Sequence, residues 1–344
     1  MAFLTAMEHF DVIVIGSGPA GVAAAITCLQ GGVRPLLVTE QSIRIPVAGN
    51  EGAEPLQSLH PGVQSLLDRL HIGGATAHAS RGTYTGIRLG ETVNPLSTVP
   101  GETWTGNHID PGLFAAYAVQ QAELMGVRVL YGARVTDIIL DGPAVSGIIL
   151  ADGESFYGDY VIDATGLRRF TGRYLNFEEQ IHSRPLVCYT GNSLDDDDHR
   201  DKDTAIFTPG KSGWKWEAFS AFGYYTWTKL AVRAGARPDS KQPEEKTGRV
   251  RGGDMQWRVF RPVVSPGMLM VGDAAGVLDP AAGQGILNGL LSGIMGAETI
   301  IKCTRRPLIA NWYLTQYDSW YINLFNKKAQ MLKKKYAGLD IAID

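Results

Sequence analysis

The strongest constraint on this fold is a glycine-rich turn near the N-terminus. It joins an apolar run, Asp11–Ile15, which is typical of a buried parallel strand, to a helical segment, Pro19–Gln30. A second apolar run, Arg34–Thr39, ends on an acid 19 residues after the last glycine of the turn. In this βαβ context a G-x-G-x-x-G turn predicts a dinucleotide site. The glycines let backbone N–H groups approach a pyrophosphate, and the acid accepts hydrogen bonds from ribose hydroxyls. The predicted contacts are Gly16, Ser17, Gly18, Pro19, Ala20, Gly21 and Glu40.

Two further turns extend the prediction. Asp163–Gly166 (Asp-Ala-Thr-Gly) follows an apolar run, and Gly272–Ala275 (Gly-Asp-Ala-Ala) precedes Pro280 and the turn Gly283–Gly285. Together, in this order and spacing, the three turns resemble the family of FAD-dependent monooxygenases, halogenases and geranylgeranyl reductases. The resemblance implies FAD as cofactor. Its implied contacts, beyond the first turn, are Gln41, Arg44, His108, Val135, Asp163, Gly166, Asp273, Pro280, Gly283, Gln284, Gly285 and Ile286.

Several of these contacts have a specific role by resemblance. Asp273 would bind the ribitol, the backbone of Val135 would hold the adenine, and the helix start after Pro280 would lie beside the flavin pyrimidine ring. A helix N-terminus there would stabilise the anionic reduced ring through its free N–H groups. Arg44 is either a diphosphate contact or a surface arginine. His108 stands where family members commonly carry a diphosphate-binding arginine, and it is equally compatible with a core or surface histidine.

The resemblance also implies the architecture, an α/β glutathione-reductase-type fold. A Rossmann FAD-binding domain would comprise residues 1–72, 107–170 and 263–303. An inserted antiparallel β-sheet substrate domain would comprise residues 73–106 and 171–262, and residues 304–344 would form a C-terminal helical tail. Two polar segments, Asp195–Asp198 and Arg237–Arg251, are predicted to be solvated loops.

Composition excludes several classes of function. A net charge of −3 gives no electrostatic reason to bind nucleic acid. The 3 cysteines are far apart and lack metal-ligand spacing, so we predict neither a disulfide scaffold nor a metal site and expect a reducing, cytoplasmic location. We also expect no membrane span, since no uninterrupted apolar run reaches the necessary length.

The segment Gly213–Phe219 (Gly-Trp-Lys-Trp-Glu-Ala-Phe) resembles the GWxWxIP motif of flavin-dependent tryptophan halogenases. Those enzymes need a lysine early in the chain, and this chain has none before Lys202, which argues against halogenation. The stretches Met255–Arg258, Pro266–Ala275, Leu278–Pro280 and Leu291–Met295 are instead similar to a halogenase-related subgroup. It includes the flavoproteins that oxidise a peptidyl tryptophan during tryptophylquinone maturation.

This resemblance predicts an FAD-dependent monooxygenase that hydroxylates an aromatic, indole-like substrate, free or peptide-bound, with O2 through a flavin C4a-hydroperoxide. Trp214, Trp216 and Trp227 would either form an aromatic wall of the substrate site or only pack within the sheet. Glu217 and His108 are candidate proton donors or acceptors. Because there is one nucleotide fingerprint, electrons would come from docking NAD(P)H or from a partner flavin reductase. The alternatives are a halogenase, an isoprenoid-type flavin reductase with an apolar tunnel, and a flavoprotein that assembles a client.

The tail from Asn311 to Ala337 is aromatic and basic. It is predicted to be an amphipathic helix, either packed on the FAD domain with a solvated lysine face or docking an acidic partner, a leader peptide or a membrane surface.

Overall fold

The computed structural model describes residues 8–42, 54–97, 99–194, 202–232 and 250–343. Its helices are α1 (Pro19–Gln30), α2 (Gln64–Arg69), α3 (Gly74–Ala79), α4 (Pro111–Leu124), α5 (Phe170–Tyr174), α6 (Gly285–Arg305) and α7 (Ala310–Ala337). Its strands are β1 (His9–Ile15), β2 (Pro35–Val38), β3 (Gln57–Leu59), β4 (Ser80–Tyr84), β5 (Gly86–Leu89), β6 (Thr92–Pro95), β7 (Gly106–Ile109), β8 (Arg128–Leu130), β9 (Val135–Asp141), β10 (Ala144–Leu150), β11 (Ser155–Asp163), β12 (Glu178–Ile181), β13 (Leu186–Leu194), β14 (Thr204–Gly210), β15 (Gly213–Phe219), β16 (Tyr224–Val232), β17 (Arg251–Asp254), β18 (Arg258–Arg261), β19 (Val264–Ser265), β20 (Met268–Met270) and β21 (Gly276–Val277).

The first sheet is built around β1. Its order is β19-β20-β11-β1-β2-β8, and β1, β2, β8, β11 and β20 run parallel. The antiparallel strands β9 and β10 extend this sheet: β10 pairs with β11 across the turn at Ala151–Glu154, and β9 pairs with β10. Strand β1 is largely buried, as expected for a central parallel strand, and α1 packs against it.

A second sheet holds the strands inserted between the parts of the first. Its order is β17-β13-β16-β15-β14-β5-β6, so it combines strands from residues 86–95 with strands from residues 186–254. Its pairs are antiparallel except β14 with β5, which is parallel. Two small sheets, β3-β7-β4 and β12-β18-β21, complete the described strands. The predicted α/β fold class, with an inserted and largely antiparallel sheet, is confirmed.

The two C-terminal helices cover the first sheet. Helix α6 has a mean hydropathy of 1.2 and is long enough to cross a membrane by composition, but 61% of its apolar window is buried inside the protein, packed chiefly on α1. Helix α7 packs on α6, on β18 of a small sheet and on β19, an edge strand of the first sheet. Its buried side chains recur every three to four residues, apart from the adjacent pair Tyr321 and Ile322; they are Leu314, Tyr317, Tyr321, Ile322, Phe325, Ala329, Leu332 and Tyr336.

Candidate cofactor and substrate site

The three predicted turns converge at one edge of the first sheet. Strands β1, β11 and β20 are parallel neighbours, so their carboxyl ends lie side by side. Backbone hydrogen bonds join the turns directly: Ala164 N–H donates to the Ile15 carbonyl at 2.9 Å, and Val271 N–H donates to the Asp163 carbonyl at 2.9 Å. In open α/β sheets this edge is where ligands bind.

The first turn has the geometry that a pyrophosphate requires. Gly16 has φ +106°, and a Cβ there would lie 2.4 Å from the Ala164 carbonyl oxygen; a Cβ on Gly21 would lie 1.8 Å from the Gly16 oxygen. No side chain caps the N-terminus of α1, and nothing lies within 4 Å of a Cβ built on Gly18. Free N–H groups therefore face an open space, which fits a bound diphosphate.

Two polar residues of the turns support the backbone rather than the cofactor. The Asp163 carboxylate is fully buried and accepts from Thr165 N–H at 2.8 Å and from Thr171 N–H and Oγ1 at 2.7 Å each. It therefore holds the second turn closed. The Ser17 hydroxyl lies 2.7 Å from Thr39 Oγ1, so it ties the first turn to the end of β2.

Asp273 is positioned for a ligand. Its side chain lines the cavity beside the third turn, and no donor among the described residues bonds to its carboxylate. Although this side chain is open to the cavity, the surrounding protein desolvates its carboxylate, which raises the pKa of Asp273 to about 6. An acceptor without a partner, facing the cavity at this edge, fits the ribityl hydroxyl that the resemblance assigns to it.

At the predicted adenosine end, Glu40 already has a protein partner. Arg168 forms an ion pair with it and also donates to the Val135 carbonyl at 2.5 Å. Arg134 Nε lies 3.9 Å from the same carboxylate. Gln41 is adjacent, with its N–H donating to Thr39 Oγ1 at 3.1 Å. The sequence analysis missed Arg168, although it lies 2 residues after the second turn. Arg44 lies outside the described residues.

A cavity of about 530 Å3 extends from these turns to the second sheet and α7. The predicted cofactor residues that line it are Gly18, Pro19, Ala20, Gly166, Asp273, Pro280, Gly283, Gln284, Gly285 and Ile286. Beyond them the wall is largely apolar; its large side chains include Leu56, Tyr84, Ile87, Trp214, Trp216 and Phe325. The cavity is therefore shared between the cofactor turns and a hydrophobic compartment.

Both cavity tryptophans have their indole N–H groups occupied. Trp214 Nε1 donates to Tyr336 Oη at 2.6 Å, and Trp216 Nε1 donates to Ser58 Oγ at 3.1 Å. They therefore present ring surfaces, not hydrogen-bond donors, to the cavity. For Trp227 the structure supports the other alternative, packing within the sheet: its ring is buried against Gly191 and does not line the cavity among the described residues.

The two candidate proton donors or acceptors, Glu217 and His108, do not line the cavity in the described structure. Glu217 alternates with Trp216 along β15, so it points to the opposite face of the sheet, where it lies 3.4 Å from Lys215 Nζ. His108 is 0% exposed and stacks on Tyr84, with Nδ1 3.0 Å from Ser58 Oγ. Burial lowers the pKa of His108 to about 3. The structure thus contradicts a diphosphate contact for His108, because the ring is enclosed and neutral.

Asp279 organises the turn before α6, and the sequence analysis assigned it no role. Its Oδ1 accepts from Ala281 N–H at 2.9 Å and Tyr336 Oη at 2.8 Å, and its Oδ2 accepts from Trp257 Nε1 at 2.7 Å. Burial raises the pKa of Asp279, and these hydrogen bonds oppose that rise. Trp214, Tyr336 and Asp279 thereby connect the second sheet, α7 and the cofactor turn. The sequence signal that could have identified Asp279 is its position directly before Pro280, where an aspartate commonly caps the start of a helical turn.

The cavity holds one cysteine, Cys188. Burial, with the nearby Asp279 charge, raises the pKa of its thiol to about 12, so it is not a thiolate nucleophile. Within the described residues no group of three or more potential ligands could hold a metal ion.

Comparison with known proteins agrees with this geometry. Residues 11–168 match the sequence model of a family described as FAD dependent oxidoreductase. The chain is 25% identical over 340 residues to digeranylgeranylglycerophospholipid reductase 2 of Methanococcoides burtonii, covering 91% of this chain and 80% of that protein. The fold and these matches make the chain an FAD-dependent oxidoreductase, with FAD as its cofactor.

Solved structures share the fold. A geranylgeranyl bacteriochlorophyll reductase-like protein from Thermoplasma acidophilum superimposes with a TM-score of 0.79 at 21% identity, covering 97% of this chain and 90% of that one. The peptidyl tryptophan dihydroxylase QhpG gives 0.75 at 19% identity, covering 97% and 76%. The myxobacterial chondrochloren halogenase CndH gives 0.79 at 18%, covering 94% and 82%. At these identities the likeness shows the fold alone.

Proposed function

We propose that this protein is a flavin-dependent reductase of carbon–carbon double bonds in an isoprenoid chain. This was an alternative in the sequence analysis, and the named reductase relatives, which match over most of the chain, favour it over hydroxylation of an aromatic ring. The observation that carries it is the apolar compartment that opens directly from the cofactor turns.

The acidic groups of the cavity are concentrated beside the cofactor turns. The carboxylates, Asp273 and Asp279, lie in the turns, whereas the opposite part of the wall combines aliphatic and aromatic side chains with a few uncharged polar ones: Gln57, Ser58, His60, Thr190 and Thr228. With their N–H groups occupied, Trp214 and Trp216 offer hydrocarbon ring faces. Such a compartment binds by burying apolar surface and has few groups to orient a polar substrate. A long unsaturated hydrocarbon suits it.

The chemistry follows from the cofactor and this compartment. FAD held at the three turns would supply the two-electron chemistry: a hydride would pass to one carbon of the double bond and a proton from solvent to the other, so that the bond becomes saturated and the cofactor is oxidised. A nicotinamide or a partner reductase then returns two electrons. The protein orients the chain with the aromatic wall, and its apolar lining excludes bulk water.

Aromatic monooxygenation is the second candidate function. It is favoured by the paired indole faces of Trp214 and Trp216, with Tyr84 edge-on to Trp216 at 6.5 Å between ring centroids. Such faces can stack on an aromatic ring. The two functions differ in their need for oxygen.

The experiment uses purified holoprotein reduced with dithionite under anaerobic conditions. Addition of geranylgeraniol should restore the absorbance of oxidised flavin and yield a product with two more hydrogens per reduced bond by mass spectrometry. A matched sample without lipid should stay reduced. If the lipid has no effect and indole under air instead yields a hydroxylated product, the monooxygenase candidate replaces this proposal.

A further inference from the structure

A single lysine interrupts the apolar stripe that helix α7 presents to the cavity. Lys328 is half-buried and lies between Phe325, about one turn before it, and Leu332, about one turn after it; all three side chains line the cavity. Among the described residues that line this cavity, Lys328 is the one lysine or arginine. A cation therefore stands in the middle of a stripe that otherwise buries hydrocarbon.

The ammonium of Lys328 has no counter-charge within the described residues. Its hydrogen-bond acceptor is Oδ1 of the neutral amide of Asn288, and neither Asp273 nor Asp279 forms an ion pair with it. Burial lowers the pKa of Lys328, because the ammonium has lost part of its water shell. An ammonium has three N–H donors, so the contact with Asn288 leaves it able to interact with an anion bound in the cavity.

The start of α6 adds positive potential at the same place. Asn288 lies in the first turn of this helix, which begins at Gly285. No side chain caps the helix, so the N–H groups of its first residues have no protein acceptor in the described structure, and Gly285 and Ile286 line the cavity. The amide of Asn288 thus joins the ammonium of Lys328 to a helix N-terminus that faces the same cavity.

The order of the turns directs the flavin ring of FAD towards this end of the cavity. The free N–H groups of α1 fit the diphosphate, and Glu40 with Arg168 lies at the predicted adenosine end. The ribityl chain and the ring must then extend in the other direction, past Asp273 and towards α6, where the cavity continues. A reduced flavin ring carries negative charge that the oxidised ring lacks, so a cation here favours the reduced form.

We propose that Lys328 raises the reduction potential of bound FAD, because its ammonium and the start of α6 stabilise the negative charge of the reduced ring. Asn288 fixes the position of the ammonium through its hydrogen bond. The inference goes beyond the proposed function, since reduction of a double bond and hydroxylation of an aromatic ring both start from reduced FAD.

The test is the midpoint potential of the substrate-free holoprotein, measured anaerobically by equilibration with a reference dye while visible spectra are recorded. Lys328→Gln removes the charge but keeps an N–H donor for Asn288 and the helix propensity. Its affinity for reduced FAD should fall about tenfold relative to its affinity for oxidised FAD, which lowers the potential of this two-electron couple by about 30 mV. A structural defect that weakens both redox states alike would leave the potential unchanged.

The matched control is Lys327→Gln, which removes the same charge from the preceding residue, exposed and outside the cavity. It should keep the wild-type potential, and so should Lys328→Arg, which retains the charge. A wild-type potential in Lys328→Gln, or an equal decrease in either of the other two variants, would overturn the inference.

A second variant covers the case in which Lys328→Gln does not retain FAD. Lys328→Met then carries the same measurement, because methionine replaces the hydrocarbon stem of the lysine and suits the apolar stripe. The absence of substrate makes the result specific. A lysine that binds only an anionic group of the substrate would leave the potential of the substrate-free variant at the wild-type value, and the inference would be wrong.

Discussion

The hydroxyl of Tyr336 is a shared hydrogen-bond partner for two buried groups. It donates to Asp279 Oδ1 at 2.8 Å and accepts from Trp214 Nε1 at 2.6 Å. Tyr336→Phe leaves both groups with one partner fewer in a buried site. We expect the free energy of unfolding to fall by about 2 kcal/mol, measured by urea denaturation.

Tyr313 gives the matched control for this substitution. It lies on the same helix, and its hydroxyl accepts only from the exposed Arg306, at 3.3 Å. Tyr313→Phe should change stability by less than about 0.5 kcal/mol. Equal losses in the two variants would show that the Trp214–Tyr336–Asp279 connection adds nothing to stability.

His108 predicts a specific dependence of stability on pH. Its pKa is lowered by burial from 6.5 to about 3, so the unfolded chain takes up a proton below pH 6.5 that the folded protein does not bind. The stabilisation is therefore complete above pH 6.5 and is lost as the pH falls towards 3. At pH 5 the slope should approach about 1.4 kcal/mol per pH unit for this one group.

The measurement is urea denaturation of wild type and His108→Asn from pH 8 to pH 4. The variant should be less stable at pH 8, since it loses the stacking on Tyr84. The difference between the two proteins should shrink as the pH falls below 6.5. A difference that stays constant across this range would mean that His108 is accessible to protons in the folded state.

Among the secondary-structure elements, helix α7 supports the cofactor site. Tyr317 Oη donates to the Met270 carbonyl and Tyr321 Oη to the Gly272 carbonyl, both at 2.8 Å, so α7 holds the strand and turn that precede Asp273. This confirms the packed alternative for the tail; docking of an acidic partner, a leader peptide or a membrane remains a prediction.

Removal of α7 should therefore abolish cofactor binding. A chain ending at Ile309 is expected to lose bound FAD and thermal stability, measured by the ratio of flavin to protein absorbance and by circular dichroism. The control changes only exposed positions of the helix, Thr315→Ala with Gln316→Ala. A truncated protein that retains stoichiometric FAD would show that the third turn holds its shape without α7.

Helices and strands that carry clear start and stop residues could be predicted from the sequence, whereas the candidate site could be predicted only in part. Helix α1 has its predicted bounds because Pro19 starts it and Gly31 ends it. Helix α3 has no comparable signal, because its six residues, Gly-Ala-Thr-Ala-His-Ala, are too few to show helical periodicity.

The missed site residues depend on long-range contacts. Tyr336 is 57 residues from Asp279, and Trp216 is 158 residues from Ser58. No local pattern brings such pairs together. Conversely, Asp163 lies in the predicted turn, but its carboxylate accepts hydrogen bonds from neighbouring backbone N–H groups and does not face the ligand. Likewise, the face of the sheet on which Glu217 lies depends on the register between β15 and β16. Motifs locate backbone turns well; they do not say which side chain faces the ligand.

For the whole molecule, the division of the cavity between the two sheets separates cofactor binding from substrate binding. Ile87 lines the cavity from β5, in the second sheet, whereas the cofactor turns belong to the first. A larger side chain at Ile87 should therefore shorten the compartment without disturbing FAD. The residue two positions along the same strand, Leu89, is 37% exposed and does not line the cavity in the described structure.

We expect Ile87→Trp to retain wild-type FAD content and to lose at least about tenfold in affinity for geranylgeraniol. The bulky ring fills space that a long chain needs, and each buried methylene group contributes about 0.8 kcal/mol. Affinity for the shorter geraniol should change little. Leu89→Trp should bind both alcohols as wild type does, as followed by flavin spectral titration. If Ile87→Trp weakens the binding of both alcohols equally, the compartment does not select for chain length. If the variant releases FAD, the substrate and cofactor sites are not separate.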